Sequence, residues 1–184
     1  MTVAPDYLEP VEGWRLWKVV EQDRRSFLGS LFYGGTWNYL VPLSAACEHR
    51  RFSLRTPWRR RPSGHPAPEE GCTCGIHAAF DPSDVLPYLD RFAGHRPYCA
   101  LGRVALWGDV VECQRGFRAQ YAYPTRLYVL DFGQRSRSRF DLPPETVVQD
   151  LDSYEVPVEA LAVGDDDLPE WLTGNGIRPD TVVP

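Results

Sequence analysis

The chain has 184 residues, of which 43% are hydrophobic and 24% are charged. This is the composition of an ordinary soluble domain and excludes a wholly disordered or fibrous protein. No apolar run approaches the roughly 20 residues that cross a bilayer, and the N-terminus lacks the basic start and apolar stretch of a secretory signal. We therefore expect a cytoplasmic protein with no membrane segment.

The formal net charge of −5 is unevenly distributed along the chain. Residues 141–184 contain eleven acidic residues and one arginine and so carry −10, whereas the preceding 140 residues carry +5. A basic body favours an anionic partner, such as nucleic acid, for which the acidic end would compete. The alternative is that the acidic residues only keep a flexible end solvated.

The first third of the chain has the pattern of an antiparallel meander. Residues 14–20 are rich in aromatic and β-branched side chains, which predicts a strand. A second apolar run covers 26–33 and ends at two glycines. Residues 36–43 alternate with Trp37, Tyr39 and Val41 on one side, which predicts a half-buried strand. Residues 50–68, rich in arginine and proline and without periodicity, are typical of a long loop.

The remaining elements complete a strand-dominated fold. A capped amphipathic pattern predicts a helix over 81–92. The strongest strand pair covers 99–112, with a break at Gly108, and 116–123, where Tyr123-Pro124 is expected to end the strand. Another strand is predicted over 127–132 and a short helix over 144–151. We predict an α+β, β-rich single domain, an antiparallel meander or partly open barrel, with one or two short helices and a zinc-stapled loop.

We assign residues 1–140 to this domain and 141–184 to an acidic C-terminal extension partly folded onto it.

Cysteine and histidine residues cluster between positions 47 and 77. A structural zinc ion takes four thiolate or imidazole ligands in a tetrahedron, and a Cys-x-Cys turn between Gly71 and Gly75 brings two sulfurs to one side. The odd count of five cysteines disfavours a disulfide framework. The predicted ligand set is Cys47, His65, Cys72 and Cys74.

Several alternatives to this set remain open. His77 is the first substitute for His65 and His49 the second. The thiols could instead pack as small hydrophobic groups, which is the reading preferred for Cys99 and Cys113. A Cys–His nucleophile formed with His77 is a further alternative.

Arginine and aromatic side chains supply the candidate ligand-binding surface. Guanidinium groups bind phosphates and aromatic rings stack on bases, although the rings on the predicted strands could simply fill the core. This favours a zinc-stabilised binding or accessory module for an anionic ligand or nucleic acid; the alternative is an enzyme that acts in an aromatic-lined groove. The candidate residues are Arg51, Arg55, Trp58, Arg59, Arg103, Trp107, Arg118 and Tyr121, with Arg50, Arg60 and Arg61 in the same arginine-rich segment.

Two stretches of the sequence carry distinctive motifs. The first is Cys47…His65-Pro-Ala-Pro68…Cys72-Thr-Cys-Gly-Ile-His-Ala78. The second is Gly102-Arg-Val-Ala-Leu-Trp-Gly-Asp-Val-Val-Glu112 with Gly116-Phe-Arg-Ala-Gln-Tyr-Ala-Tyr-Pro124. Together with the opening segment Trp14–Trp17, they resemble an uncharacterised family of small bacterial proteins with no known activity. The resemblance covers roughly residues 10–130 and implies nothing for the acidic end.

A looser similarity is to ADP-ribosyltransferase-like folds, through Gly75-Ile-His-Ala-Ala79 and the Gly-Phe-Arg-Ala strand. That similarity would imply a catalytic glutamate, for which Glu112 is the nominal candidate, but the expected early His or Arg is not recognisable here.

Overall fold

The computed structural model describes residues 9–32, 35–47, 65–93, 98–131 and 142–162. It contains eight strands and two short α-helices within these ranges, and the strands dominate, as predicted. In chain order they are β1 (Val11–Gln22), β2 (Arg25–Gly29), β3 (Thr36–Trp37), β4 (Leu43–Ser44), β5 (Ile76–Ala79), α1 (Leu86–Ala93), β6 (Tyr98–Cys113), β7 (Gly116–Asp131), α2 (Pro144–Leu151) and β8 (Val158–Ala162).

The centre of the fold is the antiparallel hairpin formed by β6 and β7, each 16 residues long. Its register shifts between Trp107 and Val110, around Gly108, whose φ of +74° is a conformation that favours glycine. This bulge confirms the predicted break. Bulges bend a strand and increase its local twist, so the hairpin does not continue flat to its tip.

The prediction that a strand ends at Tyr123-Pro124 is wrong. β7 runs through Pro124, which lies opposite Val104, and a second register shift follows because Arg103 pairs with Arg126. Proline lacks the N–H that a regular ladder needs and is tolerated at bulges. The bulge therefore joins the two predicted strands, 116–123 and 127–132, into one.

The other strands attach to this hairpin to give one mixed sheet, curled but not closed into a true barrel. β1 pairs with β6 on one side and with β2 on the other, and β5 lies between β7 and β1. In the described part of the sheet, the pairing of β5 with β1 is limited to one pair of residues, Trp14 and Ala79. Residues 15–17 of β1 therefore have a strand partner on the β6 side alone, which leaves a gap between β2 and β5.

Side chains on the two faces of β1 belong to two hydrophobic clusters. Trp17 and Val19 pack with Trp37 and with α2 on one face, where the Trp17 and Trp37 rings meet edge to face at 5.4 Å. Trp14 and Leu16 pack with α1 on the other. All three tryptophans are buried, which confirms that these aromatic residues fill the core.

The predicted helix at Pro144–Leu151 is confirmed as α2, but two other elements differ from prediction. The helix expected over 81–92 is divided into a 3₁₀ turn at Pro82–Asp84 and α1. The strand expected over 36–43 is wrong: only β3 and β4 form, because Leu40 has a φ of +57° and turns the chain. Val41, expected on the buried side, is 53% exposed.

Part of the acidic segment 141–184 contacts the body of the protein. β8 pairs in parallel with β7 from Leu127 to Asp131, and the Tyr154 hydroxyl accepts from the Leu28 amide and donates to the Trp37 carbonyl. Residues 163–184 lie outside the described residues. None of the helices in the described ranges is long and apolar enough to cross a membrane.

Candidate metal centre

Three separate points of the chain meet at one cluster of thiols and an imidazole. Cys47 follows β4, His65 lies at the start of the next described range, and Cys72 and Cys74 precede β5. The ligand atoms of all four residues lie within 4.8 Å of one another. The predicted set Cys47, His65, Cys72 and Cys74 is therefore close enough to bind one metal ion.

The spacing of the sulfurs is that of a metal site. Cys47 Sγ and Cys72 Sγ are 3.7 Å apart. Two sulfurs at tetrahedral positions about 2.3 Å from a zinc ion would be roughly 3.8 Å apart, whereas a disulfide bond measures about 2.05 Å. The separation matches two ligands of one cation, and neither cysteine is in a disulfide bond.

Local backbone structure positions the Cys-x-Cys turn. The Cys72 amide donates to the Glu69 carbonyl at 3.0 Å, which closes a turn before the first thiol. Gly75 has a φ of +118° and an added Cβ there would lie 3.1 Å from the Cβ atoms of Arg118 and Pro68. Glycine thus lets the chain leave the turn and enter β5 without a clash.

Arg118, on β7, binds this turn through its side chain. Its side chain is buried, with 7% of the residue exposed. Nη1 donates to the carbonyls of Cys74 (3.0 Å), Glu69 (3.2 Å) and Cys72, and Nε donates to Cys113 Sγ at 3.2 Å. We refer to residues 69–75, held by these bonds, as the ligand loop.

The electrostatics of the ligand loop couple metal binding to the loss of protons from its thiols. Burial, reinforced by hydrogen bonds to the neighbouring Cys72 and Cys47 thiols, raises the pKa of Cys74 to about 11 in the metal-free protein. A metal ion reverses this effect because it binds the thiolate form. Among the described residues no carboxylate forms an ion pair with Arg118, so its buried positive charge faces only carbonyls and a thiol.

Of the two alternative metal ligands, His77 does not join the cluster. His77 lies on β5 and its Nε2 is 3.0 Å from the Thr73 carbonyl, outside the group of four. His49 lies outside the described residues.

Four of the predicted ligand-binding residues lie in the described part of the chain, and each makes contacts of its own. Arg103 pairs with Glu12 at 3.0 Å and lies 5.2 Å from the ring centroid of Trp14. Trp107 and Tyr121 stack on each other across the hairpin, with centroids 6.1 Å apart. Arg118 is directed to the ligand loop. The arginine-rich segment lies outside the described residues, and with it Arg50, Arg51, Arg55, Trp58, Arg59, Arg60 and Arg61.

Comparisons with protein-family models, with curated proteins and with solved structures yield no match. The two resemblances drawn from the sequence motifs therefore stay predictions.

Proposed function

We propose that Cys47, His65, Cys72 and Cys74 bind one zinc ion, and that this ion stabilises a binding or accessory module. The observation that carries the proposal is the convergence of three thiols and one imidazole from three points of the chain within 4.8 Å. Soft thiolate ligands select zinc, copper(I) or iron–sulfur clusters. A mixed set of three sulfurs and one nitrogen is a common structural zinc site.

A structural role follows from the number of ligands. Catalytic zinc sites keep one position open for water, whereas structural sites are closed by four protein ligands. Here four side chains are available, so the proposed ion has no free position for a substrate. Cysteines that serve as metal ligands and not as disulfide partners also fit a reducing compartment, and we propose a cytoplasmic location on this basis.

The zinc ion would act as a cross-link between distant parts of the chain. Cys47 and Cys72 are 25 residues apart, and a cross-link that closes a loop of this length stabilises a protein by about 3 kcal/mol. The arginine-rich segment lies between Cys47 and His65 in the sequence. Zinc would therefore hold the two ends of that segment close together.

We further propose that the arginine-rich segment binds an anionic ligand or nucleic acid. Six arginines between two metal ligands place a strong positive charge on a short stretch of chain, and guanidinium groups bind phosphates in a forked geometry. Nucleic-acid binding would weaken steeply as salt concentration rises, because counterions are released from the phosphates. Absent or salt-independent binding of single- and double-stranded oligonucleotides would exclude nucleic acid as the partner.

Elemental analysis of the purified full-length protein tests the zinc proposal. We expect about one zinc per chain, and a tetrahedral thiolate spectrum after replacement of zinc by cobalt(II). Cys72→Ser should lose the metal, whereas Cys113→Ser, outside the cluster, should keep it. Chelation should lower the melting temperature by about 10 °C, given 2–4 °C per kcal/mol for a chain of this size. A protein that stays metal-free in excess zinc, with unchanged stability, would overturn the proposal.

A further inference from the structure

A cavity of about 590 Å³ opens where β1 lacks a strand partner between β2 and β5. Residues 14–16 of β1, 30–32 after β2 and the β5 segment line it, together with parts of α1 and of the β6–β7 hairpin tip. Ligand pockets in proteins have volumes of about 300–1,000 Å³. The cavity is thus large enough for a small organic molecule. None of the four metal ligands lines it, although Thr73 and Gly75 of the ligand loop and Arg118 do.

Arg15 is the least satisfied charged group in the cavity wall. Its Nη1 donates to the His77 carbonyl, but its Nε is buried without a hydrogen-bond partner. The guanidinium carbon lies 5.2 Å from the ring centroid of Trp37 and 6.0 Å from that of Trp17. Burial lowers the pKa of Arg15 to about 10.

Within the described ranges no carboxylate forms an ion pair with Arg15. Arg15 is half-buried as a whole, so an incoming anion can reach its guanidinium group. The guanidinium fork matches the two oxygens of a carboxylate or a phosphate.

The rest of the wall adds positive charge and apolar surface. Arg115, Arg118 and His77 line the cavity, and its single acidic lining residue, Asp84, is already paired with Arg115 at 3.5 Å. Burial, reinforced by the charges of Arg15 and Arg118, lowers the pKa of His77, so its imidazole is neutral at pH 7 and the positive charge comes from the arginines. Four aromatic side chains complete the wall: Trp14, Phe32, Tyr88 and Phe117.

We infer that this cavity binds a small organic anion, with its carboxylate or phosphate on Arg15 and a planar apolar body against the aromatic side chains. The inference goes beyond the proposed function, because it requires neither the arginine-rich segment nor a ligand in contact with zinc. Carboxylate and phosphate share the same recognition chemistry, and the two are separated by the choice of probe.

Equilibrium dialysis of the full-length, metal-loaded protein tests the inference with benzoate, phenyl phosphate, inorganic phosphate and the neutral benzyl alcohol. We expect saturable binding of at least one aromatic anion, weaker at high salt, and at least tenfold weaker binding of benzyl alcohol. Stronger binding of benzoate or of phenyl phosphate identifies the head group. No saturable binding of either aromatic anion up to about 10 mM, or equal binding of benzyl alcohol, would overturn the inference.

Two variants assign the binding to this cavity. Arg15→Gln should weaken binding of the aromatic anions at least tenfold, since it removes charge-assisted hydrogen bonds. Arg126→Gln, at an exposed position of β7, should leave binding unchanged. Tyr88→Ala serves if Arg15→Gln fails to fold, because Tyr88 is 39% exposed on α1. It should weaken the aromatic anions several-fold and leave inorganic phosphate unaffected. Wild-type affinity for the aromatic anions in a folded Arg15→Gln protein, or in Tyr88→Ala, would refute the assignment.

Discussion

Replacing Arg118 by methionine tests how the fold supports the metal centre. Zinc with three thiolates and a neutral imidazole carries a net charge of −1, and Arg118 is the buried cation bonded to the loop that supplies two of those thiolates. Methionine has a stem of similar length but no donors. The substitution therefore removes the charge and the hydrogen bonds while it retains most of the packing.

The expected loss can be worked from these contacts. Three carbonyls, those of Glu69, Cys72 and Cys74, lose a charged donor. Each such bond contributes about 1.5–3 kcal/mol, but water can reach part of the loop and replace some of it. We expect a net loss of about 1.4–2.8 kcal/mol in zinc binding, which is a 10- to 100-fold increase in Kd, the usual range for residues that orient metal ligands.

Competition with a chromophoric chelator measures the zinc Kd of each variant. Arg126→Met, a change to another arginine of β7 that is exposed and bonded only to Tyr128 among the described residues, is the matched control and should bind zinc like the wild type. Arg118→Lys restores the charge without the fork, so it separates the two contributions. A Kd within twofold of the wild-type value in Arg118→Met would refute the counter-charge argument.

Three further predictions concern protonation and packing. Because the pKa of Cys74 is raised to about 11, zinc binding at pH 7 should release at least one proton per ion and weaken as pH falls; calorimetry in two buffers of different ionisation enthalpy measures this, and zero release would contradict it. A Cβ at Gly102 would lie 2.1 Å from the Arg126 carbonyl oxygen, whereas one at Gly71 meets nothing within 4 Å. Gly102→Ala should therefore lose about 2 kcal/mol or more of unfolding free energy in urea titrations, and Gly71→Ala less than about 0.5; equal stability of the two variants would show that the β6–β7 pairing can shift. Burial and the charge of Asp150 raise the pKa of Tyr39 to about 12 from about 10, so its contribution to stability is complete below pH 10 and is lost as pH rises through 12. An ultraviolet titration in which Tyr39→Phe removes no late-ionising tyrosine would argue against this.

The metal ligands could be predicted because their chemistry restricts the choice. Few side chains bind zinc, and polar, glycine-flanked cysteines have little other reason to occur at that spacing. Helix α2 could also be predicted from the sequence, because a proline in its first turn and the spacing of its apolar residues are local signals. Both predictions rest on residues whose preferences do not depend on distant partners.

The features that escaped prediction depend on distant partners. Pro124 alone predicts a strand end, and only the pairing of β7 with β6 on both sides of a bulge at Thr125 explains why β7 continues. Arg118 reads as a surface cation until the ligand loop, more than 40 residues earlier in the chain, is placed against it. Arg15 occupies an ordinary strand position, and no sequence signal indicates that β1 lacks a neighbour there.

The single pair that joins β5 to β1 has a consequence for how the native protein fluctuates. β5 forms four pairs with β7 but only one with β1, so separation from β1 breaks far fewer bonds than separation from the hairpin. Opening of native proteins begins where the fewest interactions must break. We therefore expect local opening of the sheet to begin at the Trp14–Ala79 pair. Such an opening would give small molecules access to the interior while the β6–β7 hairpin stays intact.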